Sequence, residues 1–186
     1  MNQMITDAYI AIEIANHDLE CLRDGLRSHF GLSGIGCDAA SPAAHVSIAY
    51  GEGDVEVETL ERVASEIAAL PFSVRVAGFE ILSGQETPFD YLVVVLEGSS
   101  FGAAVTAASS CMKMRNFGGA FRSHLSLLKF PKGSVSRDWA VQVLAEMNAC
   151  QMAARALGRP SVALQGSNVS VFGSDRSCRL SKRFAA

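Results

Sequence analysis

His45-Val46-Ser47-Ile48 and His124-Leu125-Ser126-Leu127 are the stretches that decide how this chain reads. Each places a histidine two residues before a serine, with apolar residues between and after. The chain holds 4 histidines, and half of them sit in this one pattern. Side chains alternate across a strand, so His45 shares a face with Ser47, and His124 with Ser126. At strand rise the members of each pair stand about 6–7 Å apart. Val46 and Ile48, like Leu125 and Leu127, turn the other way, so each strand is predicted to have an apolar back and a polar front.

Working outward, each motif sits in a similar succession of elements. In the first half, Asp7–Ile14 alternates with period two and reads as a strand. His17–Phe30 repeats Leu19, Leu22, Leu26 and Phe30 at helical spacing, with Asn16 as cap and Gly31 as stop. Leu32–Pro42 reads as a loop, Ala44–Tyr50 as the motif strand, Val55–Leu70 as an amphipathic helix, and Phe72–Leu82 as a long strand after Pro71. In the second half the order returns. Tyr91–Leu96 is a strand, Phe101–Arg115 a helix, Phe121–Phe130 the second motif strand, Ser136–Leu157 a helix and Val162–Phe172 a strand. Arg176–Phe184 is basic and extended.

The echo extends to the flanks. Asp7-Ala8-Tyr9 opens one copy and Asp90-Tyr91 the other; Tyr50-Gly51-Glu52-Gly53 closes one and Phe130-Pro131-Lys132-Gly133 the other. Aligning Tyr50 with Phe130 leaves one extra residue in the second strand, which fits a β-bulge there. The expected fold is α+β (α/β) and bilobal. Two strand–helix–strand–helix–strand lobes, about 5–84 and 88–175, are related by a pseudo-twofold axis, with a basic C-terminal segment 176–186. Their antiparallel-rich sheets flank a central groove, into which both polar fronts face.

Composition narrows the class. Of the 186 residues 49% are hydrophobic, ample for a packed interior in a single domain. No apolar run reaches bilayer length and no signal peptide is evident at the N-terminus, so a cytoplasmic protein away from membranes is expected. The 5 cysteines are widely spaced without Cys-x-x-Cys, which argues against a disulfide framework or a zinc ribbon. Residues 1–93 hold 4 Lys/Arg against 15 Asp/Glu, and residues 94–186 hold 12 against 4. Either an anionic partner approaches the second half, or the halves pack together and their fields partly cancel.

Two imidazoles and two hydroxyls in one groove suit acid–base chemistry at phosphorus. One histidine activates water as base; the other protonates the departing oxygen, which predicts a bell-shaped pH–rate profile. Ser47 and Ser126 donate hydrogen bonds to the non-bridging oxygens. A metal would need further ligands, and neither motif has Asp or Glu at helical or strand spacing, so no metal is expected.

The paired motifs resemble the signature of the two-histidine (2H) phosphoesterase superfamily, His-x-Thr/Ser flanked by apolar residues, which includes LigT-like RNA 2′,3′-cyclic phosphodiesterases. The resemblance spans Asp7 to about Phe172, with serine at both hydroxyl positions. It implies a bilobal fold, metal-independent and cofactor-free hydrolysis of a 2′,3′-cyclic phosphate or related oligonucleotide phosphodiester, and His124 as base with His45 as acid. The partner would be an RNA end or a small nucleotide cyclic phosphate. Cyclic oligonucleotide signals are an alternative substrate, and a non-catalytic nucleotide-binding module is an alternative to an enzyme.

Strand parity adds three candidate substrate-binding residues. Arg122 lies two before His124 and is placed to clamp a phosphate. Tyr9 lies on the polar face of the first strand, placed to stack on a base, and Tyr91 is its repeat equivalent. Arg176, Arg179, Lys182 and Arg183 could guide a polyanion. Trp139 is expected in the core. His17 and His29, lacking the serine pattern, receive no catalytic role.

Overall fold

The computed structural model describes residues 3–32, 34–41, 44–83, 87–98, 100–115, 122–156 and 163–184. The elements follow in chain order. The first half contains β1 (Met4–Thr6), β2 (Tyr9–Glu13), α1 (His17–Leu32), β3 (Asp38–Ala39), β4 (His45–Tyr50), β5 (Asp54–Glu56), α2 (Val57–Ala68) and β6 (Ser73–Ser83). The second contains β7 (Phe89–Glu97), α3 (Ser100–Ser109), β8 (His124–Pro131), α4 (Arg137–Ala156), β9 (Ala163–Gln165), β10 (Asn168–Phe172) and β11 (Cys178–Arg183). The chain is α+β, with the strands β11-β10-β2-β4-β8-β7-β6-β9 in one sheet and β3 paired to β8. Every pairing along it is antiparallel.

The two motif strands, β4 and β8, are neighbours at the middle of this order. A single register pair joins them, Val46 opposite Leu125. The seam is this short because β3 occupies β8 further along, with Asp38 opposite Lys129 and Ala39 opposite Leu128. This short strand lies within the segment expected as a loop. Val46 and Leu125 are both fully buried. Side chains of this size contribute about 1.5–3 kcal/mol each on burial.

Strand pairing does not follow the expected lobes 5–84 and 88–175. β6 lies against β7, with Arg75 opposite Glu97 and Ser83 opposite Asp90. β10 lies against β2, with Val169 opposite Ile12. Each half of the sheet therefore takes a strand from the other half of the chain. The expected strand Val162–Phe172 is split accordingly (Val162 lies outside the described residues): β9 pairs with β6, and β10 with β2. The break falls at Gly166-Ser167. A Cβ on Gly166 would stand 2.6 Å from the Phe184 ring and 2.9 Å from Ile12, so a larger residue here would have to displace those side chains. The Ser167 backbone N–H then donates to the Glu13 carbonyl at 2.8 Å.

Helix boundaries moved for local reasons. The Leu19 N–H donates to Asn16 Oδ1 at 3.0 Å, the cap expected for α1. α2 starts at Val57 rather than Val55 because Asp54–Glu56 pairs with Met4–Thr6. Its Leu60, Val63 and Ile67 are buried as patterned. α3 stops at Ser109, not Arg115. Ser109 and Ser110 turn their hydroxyls back onto the carbonyls of Val105 and Ala107, at 2.7 Å each, in the last turn. Residues 113–115 instead run beside the end of β4, where the Arg115 N–H donates to the Tyr50 carbonyl at 2.7 Å. α4 matches its expected span to within a residue at each end, Leu157 lying outside the described residues. Trp139 packs edge-on to Phe30 at 5.1 Å, and Phe30 edge-on to Phe130 at 5.4 Å, as a core position requires. The second motif strand is described from His124; Phe121 lies outside the described residues.

Candidate functional site

Antiparallel pairing at Val46–Leu125 dictates the arrangement of the motifs. Carried one residue either way, the register sets His45 beside Ser126 and Ser47 beside His124. Cα atoms opposite each other in such a ladder stand about 4.5–5.5 Å apart. Val46 and Leu125 bury one face; the two histidines and two serines, all half-buried, occupy the other. The four catalytic candidates therefore share one face of one seam. Each copy's histidine is placed next to the other copy's serine.

Both strands carry a β-bulge just after the serine. Across β2 and β4, Ala11 stands opposite Ser47 and Ile10 opposite Ala49, so Ile48 is the extra residue. Across β7 and β8, Val93 stands opposite Ser126 and Leu92 opposite Leu128, so Leu127 is. The expectation of a bulge in the second strand alone is thus corrected. Tyr50 opposes Tyr9, and Lys129 opposes Tyr91. Lys129, not Phe130, is the counterpart of Tyr50, and no extra residue needs accounting for. The same registers make Tyr9 and Tyr91 equivalent, as the repeat implied. Gly53 and Gly133, at φ 83° and 75°, follow the two bulged strands at equivalent places.

The surroundings of the two histidines differ. His124 Nδ1 lies 2.8 Å from the Arg122 carbonyl oxygen. A carbonyl only accepts, so Nδ1 keeps its hydrogen and Nε2 is the nitrogen that takes up or releases a proton. His45 Nδ1 lies 3.3 Å from Ser41 Oγ, a group that donates or accepts. Opposite His45, Glu13 accepts from Ser170 Oγ at 2.6 Å and from Asn168 Nδ2 at 3.2 Å. Ser170, the one buried polar residue among those described, is held by this carboxylate and by Ser181 Oγ at 3.1 Å.

An aromatic stack adjoins the first motif. Tyr9 stacks on Phe172 with centroids at 4.7 Å and on Tyr50 at 5.5 Å; its centroid is 6.4 Å from that of His45. Burial raises the Tyr9 phenol above its ordinary pKa, and neighbouring Tyr50 adds to the rise, while Arg176 opposes it. The Tyr50 hydroxyl donates to Ser47 Oγ at 2.9 Å. Beside the second motif, the Lys129 ammonium lies 5.2 Å from the Phe89 ring centroid.

The remaining candidates are placed as follows. Arg122 precedes β8 and is exposed, and its guanidinium pairs with Glu80 at 2.8 Å. Glu80 lies opposite Val93, itself opposite Ser126, so the pair borders the second motif. Tyr91 is half-buried, and its hydroxyl donates to Thr87 Oγ1 at 3.4 Å. Within the basic segment, Arg179 pairs with Asp175 at 2.8 Å. Hydrogen bonds from Ser177 hold the Asp175 carboxyl below its usual range. Among the described residues, Arg122–Glu80 and Lys113–Glu52 pair cations of the basic half with carboxylates of the acidic half, and Arg75–Glu97 joins the halves in the opposite sense. All 5 cysteines are free thiols; burial pushes Cys37 and Cys111 upward in pKa. Among the described residues, no three His, Cys, Asp or Glu side chains gather as a metal site, and no helix is long and apolar enough to cross a membrane.

A cavity of about 500 Å³ lies between the end of β2 and the start of α1, lined by Glu13, Asn16, His17, Glu20 and Ala44. Two carboxylates make it a poor seat for an anion. The sequence reading missed Tyr50, Phe172 and Glu13. For Tyr50 a signal exists: two consecutive apolar residues, Ile48-Ala49, break the alternation just before it.

No family model and no curated protein sequence matches the chain. Solved structures do. Usb1 of Kluyveromyces marxianus is 14% identical with a TM-score of 0.60, over 97% of this chain and 99% of that one. TT0787 of Thermus thermophilus is 12% identical with a TM-score of 0.58, over 96% and 98%. E. coli LigT, in complex with 3′-AMP, is 11% identical with a TM-score of 0.52, over 99% and 100%. These proteins belong to the two-histidine phosphoesterase superfamily. End-to-end coverage at such low identity is a likeness of fold: the chain has the fold of the two-histidine phosphoesterases, with both His-x-Ser motifs at its central seam.

Proposed function

We propose that this protein is a two-histidine phosphoesterase acting on RNA or nucleotides, and that it hydrolyses a 2′,3′-cyclic phosphate without a metal. The observation that carries the reading is the antiparallel Val46–Leu125 pair, which sets His45 beside Ser126 and His124 beside Ser47 on one open face. Its likeness in fold to LigT bound to 3′-AMP and to Usb1 bound to uridine monophosphate supports a nucleotide ligand.

In the proposed reaction, His124 Nε2 removes a proton from water as the water oxygen bonds to phosphorus. The bond from phosphorus to one ring oxygen breaks, and His45 delivers a proton to that oxygen, leaving a phosphomonoester. Ser47 and Ser126 donate to the non-bridging oxygens, where charge grows in the transition state. The Arg122 carbonyl favours this division, because it holds the lone pair of neutral His124 on Nε2. Tyr9 and its stacked neighbours offer a surface for a base, and Arg122, once drawn from Glu80, offers a charge for a phosphate.

The test is hydrolysis of nucleoside 2′,3′-cyclic phosphates and cyclic-phosphate-ended RNA in EDTA. Turnover is expected in the wild type and should fall by about 10²–10⁴ in His45→Ala and in His124→Ala. Activity close to wild type after either change refutes the mechanism. Binding without turnover would mark a nucleotide-binding module instead, and turnover only of cyclic oligonucleotides would shift the substrate class.

A further inference from the structure

We propose that the Tyr50 hydroxyl orients the Ser47 hydroxyl toward the substrate phosphate, making Tyr50 a positioning residue of the site; this rests on the phosphodiesterase reading above. In a regular strand Ser47 and Tyr50, three residues apart, face opposite sides. The bulge at Ile48 reverses that parity. Ile48 and Ala49 are both 1% exposed, and Tyr50 returns to the face of Ser47. There its hydroxyl donates to Ser47 Oγ at 2.9 Å.

A serine hydroxyl has one hydrogen and two lone pairs. With Tyr50 donating to its oxygen, the Ser47 hydrogen is directed elsewhere, and an oxygen that accepts a bond is also a stronger donor. That is the state needed to meet charge growing on a non-bridging phosphate oxygen. The phenol is itself held, since its ring stacks on Tyr9 at an interplanar angle of 24°, and Tyr9 stacks on Phe172 at 12°. The device is specific to one copy. An equivalent bulge at Leu127 brings Lys129 to the matching place, so the second copy presents an ammonium where the first presents a phenol.

Tyr50→Phe keeps the ring and removes only the hydroxyl. In hydrolysis of a nucleoside 2′,3′-cyclic phosphate, its kcat should fall about fivefold to tenfold, with KM held within about twofold. Ser47→Ala should fall at least as far. The decisive readout is the cycle: adding Tyr50→Phe to Ser47→Ala should change nothing further. A purely structural role would give independent, multiplying losses, and that result overturns the proposal, as does a Tyr50→Phe enzyme equal to wild type. Adenosine 3′-phosphate binding by calorimetry runs the same cycle without turnover. Non-additive binding in a protein that hydrolyses nothing would uphold the positioning role while sinking the phosphodiesterase reading. A wild-type protein that neither turns over nor binds sinks both.

Discussion

The two motif strands share a backbone and differ in what surrounds it. Each begins with histidine, buries its second residue at the seam, and bulges just after its serine. Around β4 the partners are hydroxyls and rings: Ser41 at His45, Tyr50 at Ser47, and Tyr9 with Phe172 stacked alongside. Around β8 they are a carbonyl and cations: the Arg122 carbonyl at His124, the Arg122 guanidinium on Glu80, and Lys129 over Phe89. The repeat thus supplies equivalent addresses, and divergence at the next residues out gives them different surroundings.

The largest effect should come from breaking the pair itself. Single alanine variants of His45 and His124 should each lower kcat by about 10²–10⁴. The double variant should be no slower than the worse single one, because both act on one phosphorus. Single-turnover hydrolysis measures this, and multiplying losses would mean that the histidines serve separate sites. Next comes the seam. Leu125→Ala should cost about 2–5 kcal/mol in urea unfolding, since its side chain is fully buried. An unchanged midpoint would show that the two halves of the sheet do not depend on this contact.

Smaller variants sharpen the chemical contrast. Lys129→Gln should raise KM roughly threefold to fivefold at low salt and less at high salt, as expected of a screened charge. Tyr50→Phe should show no such salt dependence, and equal salt slopes would erase the distinction between the two sides. Glu80→Gln should free Arg122 and lower KM about twofold, with stability within about 1 kcal/mol of wild type, because the pair is exposed. A higher KM would instead mean that Glu80 holds Arg122 in its working position.

The smallest effect is a titration. The Tyr9 phenol is raised above 10.0, so folded Tyr9 keeps its proton at a pH where the unfolded chain releases it. Its contribution to stability is full below the unfolded value and lost as pH rises through the folded one. Ultraviolet absorbance should show a tyrosine component ionising late, and Tyr9→Phe should remove it. A late component that survives belongs to another tyrosine.

Much of this was legible in the letters. Period-two alternation around His45 and His124 marked both strands and their faces, because side-chain direction in a strand follows from sequence parity alone. Helical spacing and the Asn16 cap located α1, and the near-repeat marked Tyr9 and Tyr91 as equivalents. Where parity failed, the sequence reading failed with it. Each bulge adds one residue and reverses the facing of everything beyond it, so Tyr50, which ends its strand as expected, was aligned with the wrong partner. The serines closing α3 hid among small residues whose spacing still looked helical.

By itself, then, the sequence determined the strand-borne motifs, the polar face each presents and the chemistry those side chains support. All of these depend on residues within one or two positions of each other. Only the tertiary structure decided that β4 and β8 are neighbours, that β6 and β10 change sides, and that Tyr50 meets Ser47. Those outcomes depend on which strand edges find each other across long stretches of chain. That choice is made by burying Val46 against Leu125 and by the crossing at Gly166, and no local pattern encodes it.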